Sequence, residues 1–381
     1  MNNHDYNQEA LELHKLHHGK IGLATKVPMN NKDDLSRAYT PGVAEVCKEI
    51  AKNPSTAREY TLKRNTVAII SDGSAILGLG NLGALAAIPV MEGKAAILKS
   101  FAGVDAFPIC LDTQDTEEII KAVKQLAPVF GAINLEDIAA PRCFEIEERL
   151  RAELSIPVMH DDQWGTGAVV LAGVMNALKL RGIAKEETKV VINGVGAAGV
   201  AVSRVLLAYG IKDILFCDSK GIIHASRTDL TKEKKELLEG SSAQAFEGAL
   251  TEAMKGRHLF VGLSKPGTVT KDMVKGMEDR PIIFSLANPT PEIMPEEARD
   301  AGVFIMATGR SDYPNQLNNS LIFPGIFKGV LDNNIKQFEI GMFVRAAHAL
   351  ADSVTDLSPE KILPSMFDTS VVDIVAKSVK E

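Results

Sequence analysis

Short apolar runs dense in Val, Ile and Leu alternate with amphipathic stretches along most of this chain. Runs over 66–70, 104–111, 131–134 and 156–159 form a first set; 189–193, 213–217, 258–262, 281–287 and 303–306 form a second. Between them lie helix-like segments such as 115–126, 141–154 and 203–209. This alternation predicts an α/β fold, with parallel sheets whose strands are joined by crossover helices. An apolar stretch rich in Ala, Val and Leu over 167–180 predicts a buried helix joining the two sets. With 381 residues, two domains are expected, over 1–160 and 161–335, followed by a helical tail over 336–381. The tail has the pattern to pack back on either domain.

Composition narrows the function classes. The formal net charge is −7 and no long basic run occurs, which argues against a nucleic-acid surface. No apolar stretch reaches the roughly 18 residues that span a bilayer, so no membrane partner is expected. The polar start, Met1 to Gln8, lacks the apolar core of a secretory signal. Cys47, Cys110, Cys143 and Cys217 are widely spaced, with no CxxC pair, and read as buried thiols in a reducing compartment. A cytoplasmic protein working on a small molecule is the expectation.

Residues Val190 to Gly199 read as a strand running into Gly194-x-Gly196-x-x-Gly199 and then a helix. The first glycine permits a tight turn and the second lets the backbone approach a pyrophosphate. The third allows close helix–strand packing. Gly194, Gly196, Ala197, Ala198 and Gly199 are therefore expected to bind a dinucleotide in a Rossmann-like, doubly wound domain. The next strand ends in Asp218, about twenty residues past the last glycine. An acid there accepts hydrogen bonds from the adenosine ribose and repels a 2′-phosphate, which favours NAD over NADP, although Ser219 and Lys220 directly after it could soften the preference.

Two strand-like runs end in paired carboxylates, Glu136-Asp137 and Asp161-Asp162. Strand ends face the ligand crevice in open α/β sheets, so three or four carboxylates could converge there. Like charges so placed need a proton or a divalent cation, and all-oxygen ligation suits Mg²⁺ or Mn²⁺. For either pair alone, N-capping of the following helix is an equally good reading. Lys94 lies in an apolar neighbourhood that would lower its basicity toward the range useful for proton transfer, although its stem could simply pack. Tyr39 stands in a turn-forming Tyr-Thr-Pro-Gly segment. Asn288 closes a strand, and Asn318 and Asn319 end a long polar loop of the kind that often binds ligands.

Together these blocks resemble the malic enzyme family in its short bacterial form. The resemblance spans nearly the whole chain, from Tyr39-Thr40-Pro41-Gly42 through Gly78-Leu79-Gly80-Asn81-Leu82-Gly83 and His160-Asp161-Asp162-Gln163 to Phe323-Pro324-Gly325. It implies an N-terminal malic-enzyme α/β domain preceding the NAD-binding domain, oxidation of (S)-malate with NAD, and release of CO₂ and pyruvate. It also implies decarboxylation of oxaloacetate and a homodimer. By the same resemblance Glu136, Asp137 and Asp162 hold the metal, Tyr39 and Lys94 form the acid–base pair, and Asp161 orients Lys94. Asn288, Asn318 and Asn319 would bind substrate or the nicotinamide end of the cofactor.

Three positions depart from the family's pattern. Trp164 stands where a histidine is expected, followed by Gly167 in place of alanine, and Lys265 replaces a small residue. An indole at the junction of metal and cofactor sites could weaken hydride transfer, leaving a soluble oxaloacetate decarboxylase as the alternative; a packing swap is the other reading. A non-catalytic nucleotide sensor would need neither Tyr39, Lys94 nor the acidic cluster.

Overall fold

The computed structural model describes residues 5–76 and 78–380. Two sheets carry the fold. The first contains β1 (Thr66–Ser71), β2 (Asp105–Cys110), β3 (Ala132–Leu135) and β4 (Val158–His160), all parallel, in the order β2-β1-β3-β4. The second contains β5 (Lys189–Asn193), β6 (Asp213–Asp218), β7 (Gly221–Ile222), β8 (Leu259–Gly262), β9 (Ile282–Ser285) and β10 (Ile305–Thr308). Its order is β10-β9-β8-β5-β6-β7, with only β7 antiparallel. From β5 outward this is the doubly wound dinucleotide-binding order, and the Gly194 turn follows the strand where that order reverses.

Period-two alternation along each strand explains why both sheets are covered on both faces. In β1, Val67 and Ile69 point to one core while Ala68 and Ile70 point to another. In β5, Val190 and Ile192 join the first of these cores, and Val191 joins a third on the far face of the second sheet. One core therefore runs without a break beneath both sheets.

The helix Asp161–Arg181 makes that continuity possible. It is buried almost all round from Gln163 to Leu178, the pattern of a helix enclosed by protein on every side. Asn176 Nδ2 donates from within it to the carbonyls of Ala351 and Ile362, 2.9 Å each, tying it to the tail. Among the described residues no helix is long and apolar enough to cross a membrane.

The tail packs on both halves. Ile340–Asp352 lies against the helix Asp161–Arg181 and against Ala197–Tyr209, while Ser370–Ser378 lies on Phe323–Asp332 and on Ala84–Ala102 of the first half. Phe323–Asp332 approaches Ser370–Ser378 closely because Gly325 and Gly329 lack side chains. A Cβ at Gly325 would stand 2.6 Å from Val375 Cβ, and one at Gly329 2.6 Å from Val379 Cβ.

Some expectations need correction. Cys47 is exposed and Cys110 half-buried, so only Cys143 and Cys217 are buried thiols. The helix Ala84–Ala102 and the hairpin strand β7 were not anticipated from the sequence pattern. The N-terminal helices Tyr6–His17 and Val43–Lys52 bury no residue at all.

If the tail is docked through these glycines, Gly329→Ala should lower stability by about 1–3 kcal/mol, since overpacking forces backbone shifts. Chemical denaturation of the purified variant reads this directly; an unchanged midpoint would mean the two helices can separate without cost.

Candidate active site

The first sheet also reverses its order, between β1 and β3, and the carboxylates gather beside that point. Glu136 and Asp137 follow β3 directly, and Asp161 and Asp162 open the helix after β4. Asp137 adopts a left-handed backbone, φ 54°, which few residues other than Gly, Asn and Asp tolerate. Its N–H donates to Asp162 Oδ2 at 2.9 Å, locking the two loops together. Glu136, Asp137 and Asp162 each present a carboxylate oxygen, all within 4.8 Å of one another. Asn134 Nδ2 donates to Glu136 Oε2 at 2.9 Å and fixes its direction.

Lys94 reaches this cluster from the helix Ala84–Ala102. Its Nζ pairs with Asp161 Oδ2, lies 3.0 Å from Glu136 Oε1 and donates to Asn319 Oδ1 at 3.3 Å. It also sits 4.4 Å above the centre of the Phe323 ring. Gly165 makes the Asp161 contact possible, because a Cβ at that position would collide with Asp161 Oδ1.

The charge of Lys94 corrects the sequence expectation. Burial alone would push its ammonium down, but Asp161, Glu136 and Asp162 outweigh burial and hold the proton well above the ordinary lysine range. Burial lifts Glu136 well above the usual carboxylate range, against the pull of Lys94, and lifts Asp161 as well. One ammonium facing four carboxylates leaves an excess of negative charge. Such a cluster of hard oxygen donors fits a divalent cation of the Mg²⁺ or Mn²⁺ type.

The other expected residues are placed unevenly. Asn319 meets Lys94, whereas the Asn318 carboxamide oxygen accepts the Ser320 N–H at 2.9 Å and caps a short helical turn. Asn288 is exposed, on a loop whose carbonyl would lie 2.8 Å from a Cβ at Gly78; this brings it against the Gly78–Gly83 segment of the other half. Tyr39 ends the helix Lys32–Ala38 and is 64% exposed, with its backbone N–H donating to Leu35 O at 2.8 Å. The structure does not bring it into contact with Lys94.

At the nucleotide turn, a Cβ on Gly194 would collide with the Leu263 carbonyl and one on Gly199 with the Gly194 carbonyl. Nothing lies within 4 Å of a Cβ built on Gly196, which leaves open space beside the helix Ala197–Tyr209. That helix has no side-chain cap on its first turn, where Ala197 and Ala198 stand, so its N–H groups remain available to a pyrophosphate.

Sequence reasoning missed Phe323, Gly165 and Glu292. Glu292 is fully buried and accepts from Ser264 N–H (2.8 Å), Ser285 Oγ (2.8 Å) and Ala287 N–H (3.1 Å), so it fastens the loops carrying Asn288 and Lys265. A lone acid four residues past Asn288 gave no hint of this.

Trp164 turns away from the carboxylates. Its indole stacks on Phe343, with centroids 5.0 Å apart, and Nε1 donates to Glu147 Oε1 at 2.7 Å. Glu147 also accepts from His160 N–H and Gln163 Nε2. This placement supports the packing reading of the indole. Lys265 is exposed.

Burial pushes Glu147 up to about 7, although Arg151 and its three donors favour the ionised form. A folded-state value above the unfolded one makes the acid's contribution complete at low pH and lost as pH rises through 7. Relative to Glu147→Gln, the wild type should therefore lose about 3 kcal/mol between pH 4 and pH 8. Denaturation midpoints across that range test it; parallel curves would mean that Glu147 ionises freely.

Two family profiles match the chain: "Malic enzyme, N-terminal domain" over residues 18–151 and "Malic enzyme, NAD binding domain" over 164–380. A "Bifunctional malic/malolactic enzyme" of Bacillus subtilis is 50% identical over 98% of this chain and 92% of its own length. An "NAD-dependent malic enzyme" of Geobacillus stearothermophilus is 53% identical over 95% of this chain and 76% of its own. Among solved structures, the NAD-dependent malic enzyme of Thermotoga maritima superposes with a TM-score of 0.94 at 47% identity, covering 97% of this chain and 98% of that one.

Proposed function

Since the chain belongs to the malic enzyme family, we propose that it oxidises (S)-malate with NAD, releasing CO₂ and pyruvate, with the help of Mg²⁺ or Mn²⁺. The observation that carries this reading is the meeting of Lys94, Glu136, Asp137, Asp161 and Asp162 at one sheet reversal. A simple hydroxy-acid dehydrogenase has no use for so many carboxylates around one lysine.

A divalent cation held by Glu136, Asp137 and Asp162 would supply Lewis acidity and would offset the negative charge that now retains the Lys94 proton. NAD seated over Gly194 to Gly199 would supply the hydride acceptor. The remaining work falls to the chain's own side chains. Lys94, steered by Asp161 and neutral once the cation offsets the surrounding carboxylates, takes the proton of the C2 hydroxyl as hydride leaves C2. Asn319, hydrogen-bonded to Lys94, and Asn288, on the facing loop, hold the substrate between the two halves. After loss of CO₂, Lys94 returns that proton to C3; Tyr39, out of contact with Lys94 in this chain, could share the step only from a second copy. Oxaloacetate, which lacks only the hydride step, is decarboxylated by the same groups. A decarboxylase without hydride transfer finds no support in the position of Trp164.

Purified protein with Mn²⁺, malate and NAD should form NADH and pyruvate in equal amounts. Lys94→Ala and Asp162→Asn should each lower kcat by about 10²–10⁴ while leaving the circular dichroism spectrum unchanged. Full activity in either variant would remove the site from the reaction.

The chain also acts as a homodimer in this reading. Leu11, Leu23, Val43 and Val46 of the N-terminal segment are exposed, as are Leu82 and Leu85 near the Gly78–Gly83 turn. Apolar surface of this extent calls for a partner, and a second copy would cover it together with Tyr39. Light scattering after gel filtration should give twice the 41.0 kDa chain mass, and Val46→Asp with Leu85→Asp should give the single mass. A monomeric wild type would sink this.

A further inference from the structure

A second crevice opens on the face of the helix Asp161–Arg181 that turns away from the carboxylate cluster. It encloses about 390 Å³ between the helix Arg142–Glu153 of the first half and the helices Ala197–Tyr209 and Lys232–Gly240 of the second. Arg204 in its wall stands about 10 Å along the helix from Ala197, so the cavity is separate from the nucleotide turn. Glu147 and Gln163 also line it, both buried. Gln163 Nε2 donates to Glu147 Oε2 at 3.1 Å, which fixes the carboxamide, and Gln163 Oε1 is left buried without a partner. Phe144 and Trp164 supply an apolar wall. The cations of the cavity are already matched: Arg204 meets Glu236 at 2.9 Å, Lys232 meets Glu148 at 3.2 Å, and Arg151 donates to the Phe338 carbonyl. Among the described residues neither Glu147 nor Glu233, another lining acid, has a lysine or arginine within ion-pair distance. With Glu147 ionised, the four lining carboxylates outnumber the three cations and leave one negative charge in excess.

We propose that this cavity takes a small primary alkylammonium compound, its charged head held between Glu147 and Gln163 Oε1 and its chain lying against Phe144 and Trp164. The ammonium brings three donors; Gln163 Oε1 has none, and Glu147, which accepts three bonds, has room for one more. One added positive charge brings the wall to neutrality, and the aromatic rings suit a cation. An anion meets repulsion from Glu147 and no donor on Gln163 Oε1. Of the other charged or titratable groups around Glu147, Arg151 and Arg204 favour its ionisation, while burial keeps the Cys143 thiol and the His160 ring neutral. A bound ammonium holds Glu147 ionised and so strengthens the bonds it accepts from the His160 N–H, Gln163 Nε2 and Trp164 Nε1. Those donors flank Asp161 and Asp162, so an occupant firms the active-site turn from behind without touching the reacting groups.

Trp164, the only tryptophan of the chain, reports on the cavity directly. Titration with n-butylamine at pH 8 should change its emission saturably, whereas butan-1-ol and butyrate at the same concentrations and ionic strength should not. Affinity should rise about tenfold from pH 6 to pH 8, because butylamine stays charged while Glu147, pushed up to about 7, loses its proton. Glu147→Gln should weaken butylamine about tenfold or more, and Glu233→Gln about threefold. Amide hydrogen exchange over residues 160–164 should slow when butylamine is bound. Equal responses to amine, alcohol and butyrate would make the cavity a water-filled gap and overturn the proposal. So would an affinity indifferent to both substitutions, or exchange over 160–164 that stays unchanged at saturation. Should Glu147→Gln lose the wild-type circular dichroism spectrum, Glu233→Gln and the pH dependence decide in its place. Malate turnover enters none of these readouts, so failure of the proposed reaction would leave this site standing.

Discussion

The ion pair between Lys94 and Asp161 anchors the site, because it joins elements far apart in sequence. Lys94 comes from a long helix of the first half, Asp161 from the helix that leads into the second. Taking both out of water is costly, and the cost is met only when each finds further partners. Glu136 and Asn319 provide them for the lysine, and the Phe323 ring closes over its ammonium. Remove any one of these and a buried charge is left short of its partners. The arrangement explains why the Phe323 ring and the side-chain-free Gly165 stand at this point.

Much of the scaffold could be read from residue pattern alone. The strands of both sheets were visible as Val- and Ile-rich runs because buried parallel strands carry hydrophobic side chains on both faces. The nucleotide turn was visible because glycines at those positions answer steric demands the structure makes explicit at Gly194 and Gly199. Two-residue β7 was not, since Gly221 and Ile222 carry no strand signal of their own. Nor was Ala84–Ala102, whose small residues and internal proline blur a helical pattern.

The site was legible in its membership and less so in its electrostatics. Carboxylates after a strand announce themselves, but the ionisation of Lys94 depends on Glu136 and Asp161, acids far from it in sequence. Local apolarity suggested a weakened base; tertiary charge reversed it. Asp218 shows the same limit: its acid character is plain in sequence, and its pairing with Arg227 and Lys234 is not. Tyr39 shows the opposite limit: its turn motif is plain in sequence, yet the side chain stands exposed, out of contact with Lys94. Trp164 looked like a change at the chemical centre, yet two residues past Asp162, about 200° around the helix, it points to the opposite face, onto Phe343.

The enclosed helix Asp161–Arg181 has a mechanical consequence. Its first turn bears Asp162 while its body is wedged under the second sheet, so the two halves cannot swing about a slack linker. Any rocking of the nucleotide half must tilt a rigid rod whose tip is part of the carboxylate cluster. Occupancy at one end is then felt as a change of fit at the other, and by thermodynamic reciprocity each ligand tunes its companion's grip to the same degree.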